Sequence, residues 1–258
     1  MLFETLQFER RGRVAHVALN RPERLNALDA TLIRELSAVA GLIGGDADVH
    51  AVLLGANGRA FCSGADLMHI AGDSVEASLR DQFNPMVSAW YHLPVPVVVA
   101  VQGIAAGAGM SLALTGDIVI AARSATFLQL FAPKLGLMPD LGSSFYLPRM
   151  VGTARAKGLA LLGDALSAAD AAAWGLIWAC VDDQDLVTDA ESIAQRLAHG
   201  PTRAYRQIKE VFNEQPPRTL EEQLARELRG QTALGNTRDF AEGLSAFRAK
   251  RAPSFTGE

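Results

Sequence analysis

The stretch Val97-Val98-Val99-Ala100-Val101-Gln102-Gly103-Ile104-Ala105-Ala106-Gly107-Ala108-Gly109-Met110-Ser111 decides how this chain folds. Its first five residues read as a buried strand, Gln102-Gly103 as a turn, and Ala105 onward as a helix whose first turn is built from glycine and alanine. Side chains this small let another molecule lie against the backbone. A helix N-terminus presents unpaired N–H groups and a partial positive charge, so the element could stabilise an oxygen that becomes negative during a reaction. Close helix–sheet packing also needs Gly and Ala, and the stretch alone leaves both readings open.

A second segment repeats the arrangement. Ala51 to Ala56 has the pattern of a buried strand, Asn57-Gly58 is a turn, and Arg59-Ala60-Phe61-Cys62-Ser63-Gly64-Ala65-Asp66-Leu67 leads into a helix that Asp66 could begin. Two small-residue loops that follow neighbouring strands could each aim one backbone N–H at the same point, which is the geometry of an oxyanion hole.

Composition sets the bounds. The chain has 258 residues, enough for one large core or a core with a small appendage; 49% are hydrophobic and 20% charged, as in a soluble globular enzyme. A net charge of −4 and an isoelectric point near 5.8 give no basic footprint, so a nucleic-acid partner is not expected. The two cysteines, Cys62 and Cys180, lack ligand spacing and read as reduced thiols of a cytoplasmic protein. Met1 to Arg13 alternates apolar and charged residues where an export signal would be apolar, and reads as a first strand. The apolar run Val95 to Val101 is far below the roughly 20 residues that span a bilayer, so no membrane partner is expected.

Strands are expected at 3–9, 14–19, 49–56, 97–102, 118–122 and 126–128, alternating with helices near 30–44, 75–93 and 105–115. This is an α/β pattern. From about Ser144 onward helices dominate, at 154–162, 168–174, 186–199, 201–212, 220–234 and 237–250.

Four segments resemble, in order and spacing, the signatures of the crotonase (enoyl-CoA hydratase/isomerase) superfamily. They are Asn20-Arg21-Pro22-Glu23-Arg24-Leu25-Asn26-Ala27-Leu28, Phe61 to Leu67, Gln102 to Gly109, and Glu242-Gly243-Leu244-Ser245-Ala246-Phe247-Arg248-Ala249-Lys250-Arg251. The resemblance runs through essentially the whole chain. It implies a crotonase-like spiral of ββα units over residues 1–200, holding an acyl-CoA site. Residues 201–258 would form a helical region that covers the site and builds a homotrimer or hexamer. It implies a thioester oxygen between the N–H groups of Ala65 and Ala108, with Ala27, Gly64, Asp66, Leu67, Gly107 and Ser111 around the substrate. Arg24 and Lys250 would stand toward the nucleotide end of coenzyme A, where an exposed arginine and an exposed lysine are the plain alternatives. Coenzyme A is then part of the substrate. No metal or redox cofactor is implied, since there is neither a ligand cluster nor a strand-linked GxGxxG.

Departures from the family pattern set the chemistry. Hydratases of this superfamily hold and split a water with two glutamates, and the matching positions here are Ser111 and Ala132. A serine hydroxyl cannot replace a carboxylate base, and alanine cannot act at all. Asp140, after Pro139, stands where hydratases usually carry glycine. It reads either as the cap of the following helix or as a partly desolvated acid–base group among Leu135, Leu137, Met138, Leu141 and Phe145. Lys134 to Asp140, with Leu147-Pro148-Arg149, Gly158 to Gly163 and Trp174 to Trp178, looks like the ring-epoxide isomerases of aerobic phenylacetate breakdown, which use a single aspartate here. The expectation is an acyl-CoA isomerase. An enoyl-CoA double-bond isomerase, a weak hydratase and a non-catalytic CoA-ester-binding subunit are the rivals. The five histidines are scattered without ligand spacing, and only His69 falls near the expected pocket, whose wall runs from Asp73 to Asp81.

Overall fold

The computed structural model describes residues 2–67, 74–213 and 219–258. Two sheets organise it. In the six-stranded sheet the order is β1-β2-β3-β4-β6-β9, formed by β1 (Leu6–Arg11), β2 (Val14–Leu19), β3 (Ala51–Ala56), β4 (Val97–Val101), β6 (Ile118–Ala122) and β9 (Ala179–Val181). Only the β1–β2 pair is antiparallel; the other four pairings are parallel. The smaller sheet has the order β5-β7-β8, from β5 (Ile104–Ala106), β7 (Thr126–Leu128) and β8 (Leu166–Ser167). The successive pairs β4–β5 and β6–β7 each place one strand in the larger sheet and the next in the smaller before a helical segment, which is the repeat of the expected ββα spiral.

Strand β4 is buried at every position, as a parallel strand covered on both faces requires. Helix α1 (Ala30–Gly45) is capped by Asp29, whose carboxylate accepts from the Leu32 N–H at 2.8 Å. Its inner face carries Leu32, Leu36, Val39 and Ile43. The fully buried Trp90 donates its indole N–H to the Leu36 carbonyl at 3.0 Å and so fixes the next helical segment to α1. That segment is α2 (Val75–Ser78), a π-helical turn (Leu79–Phe83) and α3 (Asn84–Tyr91).

The chain departs from expectation in three places. Ile104 to Ala106 is strand and not helix, because it pairs in parallel with β7. The helix α4 (Ala108–Ala113) begins only after Gly107, whose φ of 50° turns the chain and whose N–H bonds the Leu128 carbonyl at 2.8 Å. Beyond Ser144 the short strands β8 and β9 complete both sheets. The helix expected at 154–162 is the second part of α5 (Ser143–Leu162), interrupted at Gly152.

The remaining helices are α6 (Ala168–Ala173), α7 (Leu186–Ala198), α8 (Thr202–Asn213), α9 (Leu220–Leu234) and α10 (Arg238–Ala249). Among the described residues, no helix is long and apolar enough to cross a membrane. Both cysteines are free, and burial pushes the Cys62 thiol up to about 12.

Candidate active site

Three loops meet at the end of the small sheet. Phe61 and Cys62 run alongside β5, with Phe61 N–H bonding Gln102 O at 2.8 Å, Cys62 N–H bonding Ile104 O at 3.0 Å, and Ala106 N–H returning to Cys62 O at 3.0 Å. This ladder brings the Gly64-Ala65 turn against the start of α4. The approach is close enough that a Cβ on Gly64, at φ +110°, would lie 3.0 Å from Ala106 O and 3.8 Å from Ala108 N. Gly109 is needed for the same reason, since a Cβ there would stand 2.7 Å from the Cys62 Sγ. The third loop joins through Leu28, which donates to Gly64 O at 2.8 Å and accepts from Asp66 N–H at 2.9 Å.

Ala65 and Ala108 line one apolar pocket with Leu67, Leu79, Phe83, Phe131, Leu137 and Asp140. Among the described residues, neither amide N–H is taken by a backbone carbonyl. Two donors from adjacent loops, beside a wall of apolar side chains, are suited to an oxygen that gains charge. Ser74 caps α2 and the π-turn beyond it supplies Leu79 and Phe83 to the pocket wall. A second π-turn (Phe131–Leu135) supplies Phe131 and Leu135. His69 and Asp73 lie outside the described residues.

Asp140 is the only titratable side chain lining this pocket among the described residues. Burial pushes its carboxyl up to about 6, and Oδ1 is buried without a hydrogen-bond partner. The capping reading of Asp140 is not what the structure shows. The N-cap of α5 is Gly142, with no side-chain cap, and Asp140 contributes only its backbone carbonyl, which accepts from Ser143 N–H at 2.9 Å. Leu141 and Gly142 both have positive φ, 50° and 84°, and this reversal turns the carboxylate into the pocket instead of toward the helix.

Ser111 is fully buried and does not line the pocket; its hydroxyl meets Ser143 Oγ at 2.6 Å. Ala132 lies in the second π-turn. Gly107 N-caps α4. Arg24 is an exposed residue of a 3-10 turn, Ala27 is half-buried, and Lys250 is the exposed C-cap of α10 in the left-handed conformation, with φ 51°. None of these three lines the pocket. Asp66 does not stand alone at a helix start: its carboxylate faces Arg21 Nη2 at 3.4 Å, and the same nitrogen is 3.0 Å from Asp29. Within the Asn20–Leu28 segment, nothing in the residue pattern singles out Arg21. Its signal was an arginine between two aspartates, Asp29 and Asp66, that only the folded loops bring together.

A family profile for enoyl-CoA hydratase/isomerase matches residues 9–258. The chain belongs to this family. It is 45% identical over 251 residues, 95% of each chain, to the 1,2-epoxyphenylacetyl-CoA isomerase of Escherichia coli K12. It is 44% identical over 259 residues, 100% of each chain, to a Rhodobacter capsulatus protein called "Probable enoyl-CoA hydratase". The crystal structure of an enoyl-CoA hydratase from Bacillus anthracis superposes with a TM-score of 0.92 at 32% identity, covering 99% of this chain and 100% of that one. These relatives carry the crotonase fold, and family members act on CoA thioesters. Their names divide between hydratase and isomerase.

Proposed function

We propose that this protein is an acyl-CoA isomerase in which Asp140 moves one proton between two carbons, with a 1,2-epoxyphenylacetyl thioester as its substrate. The observation that carries the reading is the lone Asp140 carboxyl, raised to about 6 and with an unpartnered oxygen, in a pocket that Ala65 and Ala108 also line. A hydratase of this family needs a second carboxylate, and Ser111 and Ala132 supply none.

The thioester oxygen sits between the two N–H groups, each contributing about 3–4 kcal/mol to the charged transition state. Asp140, ionised, takes a proton from the carbon next to the carbonyl. The C–H electron pair moves toward the oxygen and forms an enolate. The proton is taken from the oxepin form: the arene epoxide has already exchanged with its seven-membered oxepin by breaking the carbon–carbon bond of the epoxide ring, which sets a double bond two carbons from the carbonyl. Protonated Asp140 then returns the proton to the far end of that double bond, and the product is the conjugated oxepin thioester. Nothing is gained or lost overall. One carboxyl therefore suffices, no cofactor is assigned, and coenzyme A is the handle of the substrate. Moving a 3-enoyl double bond to the 2-position is the same proton shift on an open chain, which makes double-bond isomerisation the natural second activity.

Turnover of ring-epoxide, 3-enoyl and 2-enoyl thioesters by wild type and by Asp140→Asn tests this. Wild type should isomerise the first two. Asp140→Asn should lose about 10²–10⁴-fold in rate while still binding an acyl-CoA analogue. Binding without turnover of any thioester by wild type would make the protein a carrier subunit. Hydration by Asp140→Asn at the wild-type rate would place the chemistry elsewhere.

A further inference from the structure

Behind Asp140, on the side away from the pocket, three polar side chains are each fully buried: Ser111, Gln129 and Ser143. Gln129 Nε2 lies 3.0 Å from Ser143 Oγ and 3.3 Å from Met110 Sδ. Ser143 Oγ is 2.6 Å from Ser111 Oγ, which in turn lies 3.3 Å from the Asp140 carbonyl and 3.2 Å from the Gly107 carbonyl. The donor count fixes the direction of these bonds. The Gln129 amide N–H groups point at a sulfur and at Ser143, so Ser143 Oγ accepts. Its single proton then has Ser111 Oγ as its acceptor, and the Ser111 proton is left for the carbonyls of Asp140 and Gly107. The order is Gln129 N–H, Ser143 O–H, Ser111 O–H, Asp140 C=O. Gln129 Oε1 is buried without a partner, a cost that a core built for stability alone would avoid with an apolar residue.

The three residues come from three parts of the site. Gln129 follows β7, Ser143 opens α5, and Ser111 sits on α4, the short helix that Ala108 begins. Leu141 beside them is held at φ 50°, a conformation that persists only under constraint.

We infer that Ser111, Ser143 and Gln129 form a positioning relay that fixes the Asp140 carboxylate relative to the Ala108 amide. The inference rests on the reading of Asp140 as the proton carrier. The relay touches no substrate. It makes the base and the oxyanion donor one rigid unit by tying the backbone of Asp140 to the helix that presents Ala108. Loosening it lets the Leu141 turn relax, displaces the carboxylate and admits water to it.

The test compares Ser111→Ala, Ser143→Ala and the double variant with wild type and Asp140→Asn, on the thioester that wild type turns over. Each single variant should lose about 10–100-fold in kcat, with KM changed by less than about two-fold because no substrate contact is removed. Because both serines act through one chain of bonds, the double variant should lose little more than either single one. The acidic limb of the rate profile, set in wild type near pH 6 by Asp140, should move to lower pH as water reaches the carboxylate. A packing defect alone would lower stability without moving that limb. Gln129→Met removes the far donor without touching the Asp140 loop and should reproduce the kcat loss, which keeps the test open if an alanine variant does not fold. Folded variants with wild-type kcat and an unmoved acidic limb, while Asp140→Asn is inactive, overturn the relay alone. An Asp140→Asn enzyme with wild-type kcat overturns the proton carrier and the relay together.

Discussion

Asp140 is held in the pocket by backbone geometry, its carboxylate bonded by its own backbone N–H and its Oδ1 left without a partner, and this shapes both its rate and its stability effects. Because it must be ionised to accept a proton, kcat/KM should rise through about pH 6 and level off above it, a profile that Asp140→Asn abolishes. The stability effect has the opposite direction. Burial raises the carboxyl in the folded state from 3.8 to about 6, so the fold binds this proton more tightly than the unfolded chain. The contribution is therefore fully present below about pH 4 and is lost as the pH rises to 6. Asp140→Asn removes that loss. Urea unfolding at pH 8 should show the variant more stable than wild type by about 1–2 kcal/mol, a figure reduced for the water that still reaches the group, with the gain gone by pH 4. A variant that unfolds earlier than wild type at pH 8 would mean the carboxylate makes a bond that holds the fold. The Pro139-Asp140 pair was legible in sequence as acid–base candidate or cap. Choosing between them needed the signs of φ at Leu141 and Gly142, which no residue type dictates for leucine.

The loops that carry Ala65 are positioned by an ion cluster. Arg21, at 11% side-chain exposure, faces Asp29 and Asp66, and also donates to the Ala27 carbonyl, so one guanidinium links the first loop, the cap of α1 and the turn that presents Ala65. Asn26, fully buried, extends the tie with its side-chain amide to the carbonyls of Asn57 and Ala60. Arg21→Met should cost about 3–5 kcal/mol, because it removes the cation from between two carboxylates that water barely reaches. Denaturant unfolding at fixed protomer concentration checks this; a loss below 1 kcal/mol would mean that the loops are held by their backbone ladder alone. Elements with their own periodicity, such as β2, β6 and α9, were legible to the residue. Strand β5 was not, because Ile104-Ala105-Ala106 is as good a helix start as a strand, and only pairing with Thr126 to Leu128 decides it. Strands β8 and β9 are two and three residues long, too short to show alternation.

At the scale of the molecule, the C-terminal helices are fastened to the core and still leave apolar surface uncovered. Lys209 of α8 pairs with Asp117 at 2.6 Å and donates to the Val95 carbonyl at 2.8 Å, beside β4. The last residues fold back onto α10, where the buried Asp239 accepts from the N–H groups of Thr256 and Gly257 at 2.7 and 2.9 Å, and Arg13 next to β2 donates to the Phe255 carbonyl. The division at residue 200 that the family resemblance implies falls between two helices, α7 and α8, and bonds cross it repeatedly. Yet Leu220, Leu224 and Leu228 on α9 and Phe240 and Phe247 on α10 are each at least 50% exposed. Helices pinned to a core can turn such residues inward, so a row of large apolar side chains facing water calls for a cover. The expected cover is another copy of the same helices, in a trimer or a pair of trimers. Light scattering across a range of concentrations should give a trimeric or hexameric mass. Leu228→Asp with Phe247→Asp should lower it while the α/β core keeps its circular dichroism, since a charge is costly at a buried subunit contact and nearly free on an exposed helix. A wild-type mass that stays monomeric at every concentration would leave these side chains bare and remove the case for assembly.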